Sequence, residues 1–348
     1  MIDRGLRTLR IVGKGLAVTL AVCSVMVLLT SCQAQQEKAA TGKRLVVVTS
    51  LFPLYEFARN IGQDRAEVSL LLPPGVEAHS FEPRAGDMVR LNQADVFVYT
   101  NSTMEPWAHD LIKGVQSRTL KVVESGRGVA MTADHEAHSQ AKKTTHEAHT
   151  HGNKASPGHK NGHQHGHDRN DADPHIWLDF SNAANMVDQI LAGFIERDPL
   201  NRDFYQRNAV AYKARLNELD RQFKEGLSGC RKNVIVHGGH AAFDYLAQRY
   251  GLRYVAVSGF SPDAEPTPAA MAKITKTLKD NSLNHLFYEE LLSPRVAGAI
   301  ARETGASLLM LHAAHNVSKK EFERGVGFMD LMQRNLRHLQ VGLQCPKP

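Results

Sequence analysis

The sequence predicts an α/β protein of two lobes, each built on a mostly parallel sheet and joined by one long rigid helix. Three observations lead there. Short β-branched runs alternate with helical spacings from Arg44 onward. The alternation stops and later resumes in the same style, and an almost Gly- and Pro-free helical stretch, Asn201 to Leu227, lies between the two series.

In the first series "LVVVTS" (Leu45 to Ser50) is the continuous β-branched kind of run that a parallel sheet buries on both faces. "PLYEFARNIG" follows with helical spacing and stops at Gly62. "EVSLLLP" predicts a second strand, "AGDMVRLNQA" a short helix, and "DVFVYT" and "TLKVVES" a third and fourth strand. From about Ser125 to Asp173 periodicity is lost, over a length that a compact domain tolerates only in a disordered or functional loop. Order resumes at "DPHIWLDF". "MVDQILAGFIERD" then reads as one amphipathic helix, and "NRDFYQRNAVAYKARLNELDRQFKEGL" as a second, roughly 40 Å long at about 1.5 Å per residue. The second series runs "NVIVHG", a helix from Ala241 to Tyr250, "RYVAVSG", a helix from Thr267 to Asp280, and "HLFYEE". A helix from Pro294 to Thr304, "SLLMLH" and a closing helix from about Lys319 to Leu343 complete it. The expected boundaries are therefore a Rossmann-like lobe over 44–198, the linking helix over 199–226 and a second Rossmann-like lobe over 227–348.

Composition narrows the class. The 348 residues, 42% hydrophobic and 22% charged, suit a soluble globular protein of two domains. Of the formal charge of +6, Arg4, Arg7, Arg10 and Lys14 against Asp3 supply +3. The rest is dispersed and no aromatic-basic array accompanies it, which argues against nucleic acid. Residues 1–32 read as a secretory leader: a basic start, the apolar run "LAVTLAVCSVMVLLT", and then "LTSC", which resembles a bacterial lipoprotein box ending in Cys32. Lipidation of Cys32 would hold the mature chain outside the cytoplasm on a membrane, with 33–43 as a polar tether. With Cys23 in the leader, the body keeps Cys230 and Cys345. In an oxidising compartment that pair reads as a disulfide, with two free buried thiols as the alternative.

Histidine is the chemical signal. Seven of the chain's 18 histidines crowd "HEAHTHGNKASPGHKNGHQHGHD" (His146 to Asp168), inside the aperiodic stretch. Others stand at strand ends, where paired α/β lobes place ligands. His79 lies in "LLPPGVEAHSFEP", His175 in "DPHIWLDF", His240 in "VIVHGGHAAFDYLAQRYGL" and His312 in "LLMLHAAHNVS"; Glu289 and Glu290 end "HLFYEE". Neutral imidazoles with one carboxylate make a zinc ligand set, and three or four histidines lean away from manganese and calcium. His237 and His315 read as outer or surface residues close enough to exchange roles with His240 and His312. No motif surrounds His109, His285 or His338. Asp173, Asp179 and Glu82 are near enough in sequence to orient a ligand, and Trp177 reads as core.

With these residues in hand the chain resembles a family, the metal-binding lipoproteins of bacterial ATP-dependent zinc and manganese importers (the cluster A-I substrate-binding proteins). The segments that carry the resemblance are "PGVEAHSFEP", "DPHIWLDF", "HAAFDYLAQRYGL", "SPDAEPTP", "FYEELLSPRVAGAIARETGA" and "GVGFMDLMQRNLRHL". The resemblance implies two α/β lobes on one rigid helix, with metal ligands at His79, His175 and His240. The fourth ligand is usually a carboxylate. Where many members have an aspartate after the last strand this chain has His312, so His312 is the expected fourth ligand and Glu289 its alternative. Glu77-Ala78-His79 and Phe180 also depart from the usual pattern. The tract resembles the histidine-rich loop of the zinc-selective members and is expected to collect or sense zinc beside the cleft.

The expected function is a lipid-anchored, monomeric receptor that captures Zn²⁺ and delivers it to an ABC-type permease in the membrane, with Mn²⁺ as the alternative cargo. Two other classes stand beside it. One is an extracytoplasmic zinc hydrolase using His79, His175 and His240 with Glu289 as general base, which the absence of spacings such as H-E-x-x-H disfavours. The other is an adhesin or metal store in which the lobes only display the tract.

Overall fold

The computed structural model describes residues 43–131, 172–260, 266–291 and 293–346. The leader, Cys32, the tether, the histidine-rich tract and the first five residues of "SPDAEPTP" lie outside the described residues. Among the described residues eight strands form two sheets. β1 (Leu45–Thr49), β2 (Ala66–Leu70), β3 (Val96–Tyr99) and β4 (Lys121–Glu124) are ordered β2-β1-β3-β4. β5 (Val234–His237), β6 (Arg253–Ala256), β7 (His285–Tyr288) and β8 (Ser307–Met310) repeat that order as β6-β5-β7-β8. Every pairing is parallel. In each sheet the chain lays its second strand on one side of the first and its third on the other. The crevices at the carboxyl ends of β1/β3 and β5/β7 are therefore the natural ligand positions.

The first lobe carries α1 (Phe52–Gly62), α2 (Ala85–Gln93) and α3 (Ala108–Gly114), followed by α4 (Phe180–Arg197). α5 (Arg202–Gly226) is the linking helix, and the second lobe adds α6 (Asp244–Arg249), α7 (Pro268–Asp280), α8 (Arg295–Thr304), α9 (Lys319–Glu323) and α10 (Phe328–Gly342). Two differences from the sequence expectation have local causes. α3 was not expected, because "AHDLIKG" buries only Ala108 and Leu111 and so shows no periodicity. The single closing helix is two, α9 and α10. Gly325, at φ +68, takes a left-handed turn that few side chains adopt, and Asp330 Oδ2 accepts from Gly327 N (2.9 Å) to restart the helix.

α5 shows why the lobes are held together. Tyr205, Ala209, Tyr212, Leu216, Leu219 and Phe223, spaced alternately four and three residues apart, form its buried stripe. The stripe packs against α1 and α4 of the first lobe and α10 of the second. Phe223 touches both sides, with its ring 5.1 Å from Phe180 and 5.3 Å from Tyr250. One continuous core runs from the first lobe through α5 to the near face of the second sheet. A smaller one (Val234, Val236, Ile274, Leu278, Ile300) fills that sheet's outer face. Arg249 of α6 adds a polar tie, donating to Asp220 on α5 (2.6 and 2.8 Å) and to Asp179 at the start of α4 (2.8 Å). Cys230, just past α5, and Cys345, just past α10, form a disulfide across 115 residues, which fastens the ends of the two helices.

Truncating Phe223→Ala removes a buried ring shared by both lobes and is expected to lower the stability of the metal-free protein by about 3–5 kcal/mol in urea unfolding. Val210→Ala, on the exposed face of α5, is expected to change it by less than about 0.5 kcal/mol.

Candidate metal centre

Three histidines from distant parts of the chain meet between the lobes. His79 sits in the loop after β2, which Gly75 (φ +86) turns and which Glu77 caps: Glu77 Oε2 accepts from His79 N (2.7 Å), Ser80 N (3.0 Å) and Ser80 Oγ (3.3 Å). His175 leads into a 3₁₀ turn (Ile176–Leu178) that buries Trp177, whose Nε1 donates to Ala313 O of the second lobe (2.8 Å). His240 follows the Gly238-Gly239 turn after β5. A Cβ on Gly239 would collide with the Glu289 carboxylate, so only glycine lets that carboxylate approach.

The ring nitrogens are placed in a definite way. His79 Nε2 and His175 Nε2 lie 3.3 Å apart, and His175 Nε2 and His240 Nε2 lie 3.2 Å apart. One donor nitrogen from each ring falls within 4.8 Å of the other two. On the outer side Asp173 Oδ1 lies 2.8 Å from His175 Nδ1 and also accepts from His175 N (2.9 Å). Glu289 Oε2 lies 2.5 Å from His240 Nδ1, while its Oε1 accepts from His240 N (3.1 Å). Each carboxylate draws an Nδ1–H outward, which leaves the Nε2 lone pair of His175 and of His240 directed inward.

Burial, reinforced by the neighbouring His240 and His315, pushes the pKa values of His79 and His175 well below the ordinary 6.5. Burial also opposes charge on His240, but the Glu289 carboxylate outweighs it and the pKa rises. When His240 carries its second proton, its Nε2–H points at His175 Nε2; a metal ion can take that proton's place. Four nitrogens bound at about 2.0–2.1 Å around a tetrahedral ion stand roughly 3.3 Å apart, which is the spacing of these pairs.

Of the five residues expected to bind metal, the structure brings together His79, His175 and His240, while the His312 ring and the Glu289 carboxylate face other partners. His312 is the first of these. Its Nδ1 lies 3.0 Å from Glu290 Oε1 and its Nε2 3.8 Å from Glu321 Oε2, and its backbone is held by Asn335. Against the opposing effect of burial, these carboxylates hold its pKa at about 9. Glu289 is the second: its Oε1 accepts from His240 N and its Oε2 lies against His240 Nδ1, the position of a group that orients that ring.

His315, four residues before Lys319, stands beside the three rings. Its buried ring lies 6.1, 6.4 and 6.1 Å from those of His79, His175 and His240. Ala314, at φ +62, turns the loop between His312 and His315, so the two rings acquire different partners. The sequence placed both histidines after β8 but held no sign of that turn. His237 supports His240, with its Nδ1 3.1 Å from His240 O, and Asp179 caps α4 through Ser181 N (2.7 Å). Neither Asp179 nor Glu82 has a hydrogen bond to the three rings among the described residues.

Comparison with known proteins shows the family. The family model for ZnuA, the periplasmic zinc-uptake complex component A, matches residues 47–342. The high-affinity zinc uptake system protein ZnuA of Bacillus subtilis is 32% identical over 325 residues, covering 92% of this chain and 96% of that protein. The zinc-binding lipoprotein AdcA of Streptococcus pneumoniae is 32% identical over 312 residues, 90% of this chain but only 58% of the longer AdcA. The Zn(II)-bound ZnuA-like domain of that AdcA superimposes with a TM-score of 0.68 at 29% identity, covering 86% of this chain and 99% of the domain.

The histidine environments give the metal-free protein a pH signature. His79, His175 and His237 (the last lowered to about 4 by burial) resist protonation when folded. The unfolded chain therefore takes up protons first as pH falls, and stability is lost below about 6.5. His240 and His312 act in the opposite sense. Their contribution is complete below about 6.5 and is lost as pH rises, for His312 through about 9. Urea midpoints of the metal-free protein are expected to be lower near pH 5 and above pH 9 than near pH 7; a midpoint rising steadily across the range would contradict these assignments.

Proposed function

Because the chain belongs to the family of periplasmic zinc-uptake components, we propose that it is the extracytoplasmic receptor that captures Zn²⁺ and passes it to an ABC-type permease. The observation that carries this reading is the convergence of three imidazoles, with His175 Nε2 at tetrahedral spacing from both His79 Nε2 and His240 Nε2, and with buried carboxylates behind the His175 and His240 rings. His79, His175 and His240 are the proposed ligands and His315 the fourth. A neutral imidazole set favours zinc over manganese, which prefers oxygen donors.

A receptor, and not an enzyme, fits the geometry. Four protein donors would close the coordination sphere, whereas a hydrolase keeps a position for water and a free general base. Every proposed ligand comes from one chain, so a monomer suffices. Lipidation at Cys32 would keep the receptor beside its permease, and the histidine-rich tract would supply weak sites near the mouth. The three histidines between the lobes are already brought together by the fold, so binding there needs little further ordering.

The test is competition for zinc against a chromophoric chelator. One tight equivalent is expected and should survive deletion of 137–171. His175→Ala should weaken it by more than about 100-fold, and His315→Ala should weaken it more than His312→Ala does. Loss of tight binding with the tract would place the site in the tract. Manganese binding as tightly as zinc at the same centre would sink the zinc assignment.

A further inference from the structure

The proposed four-histidine set is electrically neutral, so a bound dication would sit in the interior with its charge balanced only from outside the sphere. Two of the surrounding carboxylates, Asp173 and Glu289, lie behind His175 and His240 and are committed to their outer nitrogens. Glu77 differs in three respects. Its Oε2 carries the whole capping duty for His79 N, Ser80 N and Ser80 Oγ. Its Oε1 is buried without a hydrogen-bond partner among the described residues and lies 3.8 Å from His315 Nε2. The Glu77 side chain is 18% exposed, against 1% for Asp173 and 3% for Glu289, which puts it at the rim of the centre.

We propose that Glu77 is the capture residue of the site, its free Oε1 meeting the incoming divalent cation beside His79 and His315 and supplying the charge that the histidine at the fourth position does not. The proposal rests on the reading of the histidine cluster as the zinc site. An acceptor left unpaired at the edge of a cation site costs free energy in the empty protein, and that cost is relieved when the cation arrives. A single carboxylate at the entrance also raises the association rate of a cation, an effect that salt screens.

Glu77→Gln separates this role from loop capping, because an amide oxygen can still accept from His79 N and Ser80 N while the charge is gone. Zinc uptake by the full-length protein is followed by stopped flow with a fluorescent chelator, alongside equilibrium competition and thermal unfolding without metal. Glu77→Gln is expected to slow association about tenfold at low ionic strength, with the difference shrinking in high salt, and to weaken zinc affinity by about 10–100-fold. The unfolding temperature of the metal-free protein should stay near wild type. Glu77→Asp, which keeps the charge, should retain most of the salt-dependent rate. Wild-type rate and affinity in Glu77→Gln would overturn the proposal and leave Glu77 as a loop cap, as would equal losses in Glu77→Asp and Glu77→Gln. Absence of one tight zinc site in the wild-type protein would instead overturn the parent reading.

Discussion

The pairing of buried carboxylates with the outer nitrogens of buried histidines is the interaction on which the rest of this molecule's chemistry depends. Asp173 and Glu289 each hold a ring from behind and fix which nitrogen keeps its proton. The inner nitrogens of His175 and His240 are then lone pairs 3.2 Å apart, an arrangement that needs a proton or a metal ion between them. Without the carboxylates the rings could rotate and swap tautomers, and the centre would lose both its geometry and its preference for a cation.

The fold brings these pairs together from distant parts of the chain. Two sheets with the same strand order end in loops that face a shared crevice, and α5 sets their separation through a single apolar stripe. The loops themselves are cross-tied. Asn316 Nδ2 donates to Pro73 O (2.8 Å) and Val76 O (2.7 Å), Gly75 N donates to Val317 O (2.7 Å), and Phe52 N donates to His315 O (3.2 Å). The loops bearing His79 and His315 are thereby joined across the lobes before any metal arrives. Much of the ordering cost of the site is thus met by folding.

The eight strands and the long helix were legible because β-branched runs and the four-three apolar spacing of α5 are strong local signals. His79, His175 and His240 were legible for another reason: each follows a recognisable strand or motif, and loops at strand ends converge in this architecture. The placement of His312 and His315 was not. Which of the two rings stands beside the other three is decided by Ala314 in a left-handed conformation, and by Glu290, which follows β7 and faces the His312 ring. Both are tertiary facts with no periodic signature. The same holds for Glu289, which reads as a ligand in sequence and acts on His240 in space. The break between α9 and α10 was present as Gly325 and Gly327, but the apolar spacing on either side concealed it.

The measurement that tests the central claim most directly is X-ray absorption at the zinc edge on protein lacking 137–171 and loaded with one equivalent of zinc. The account predicts a sphere of at least three imidazoles with zinc–nitrogen distances of about 2.0–2.1 Å. A sphere with two or fewer imidazoles, or one built from oxygen or sulfur, would contradict it.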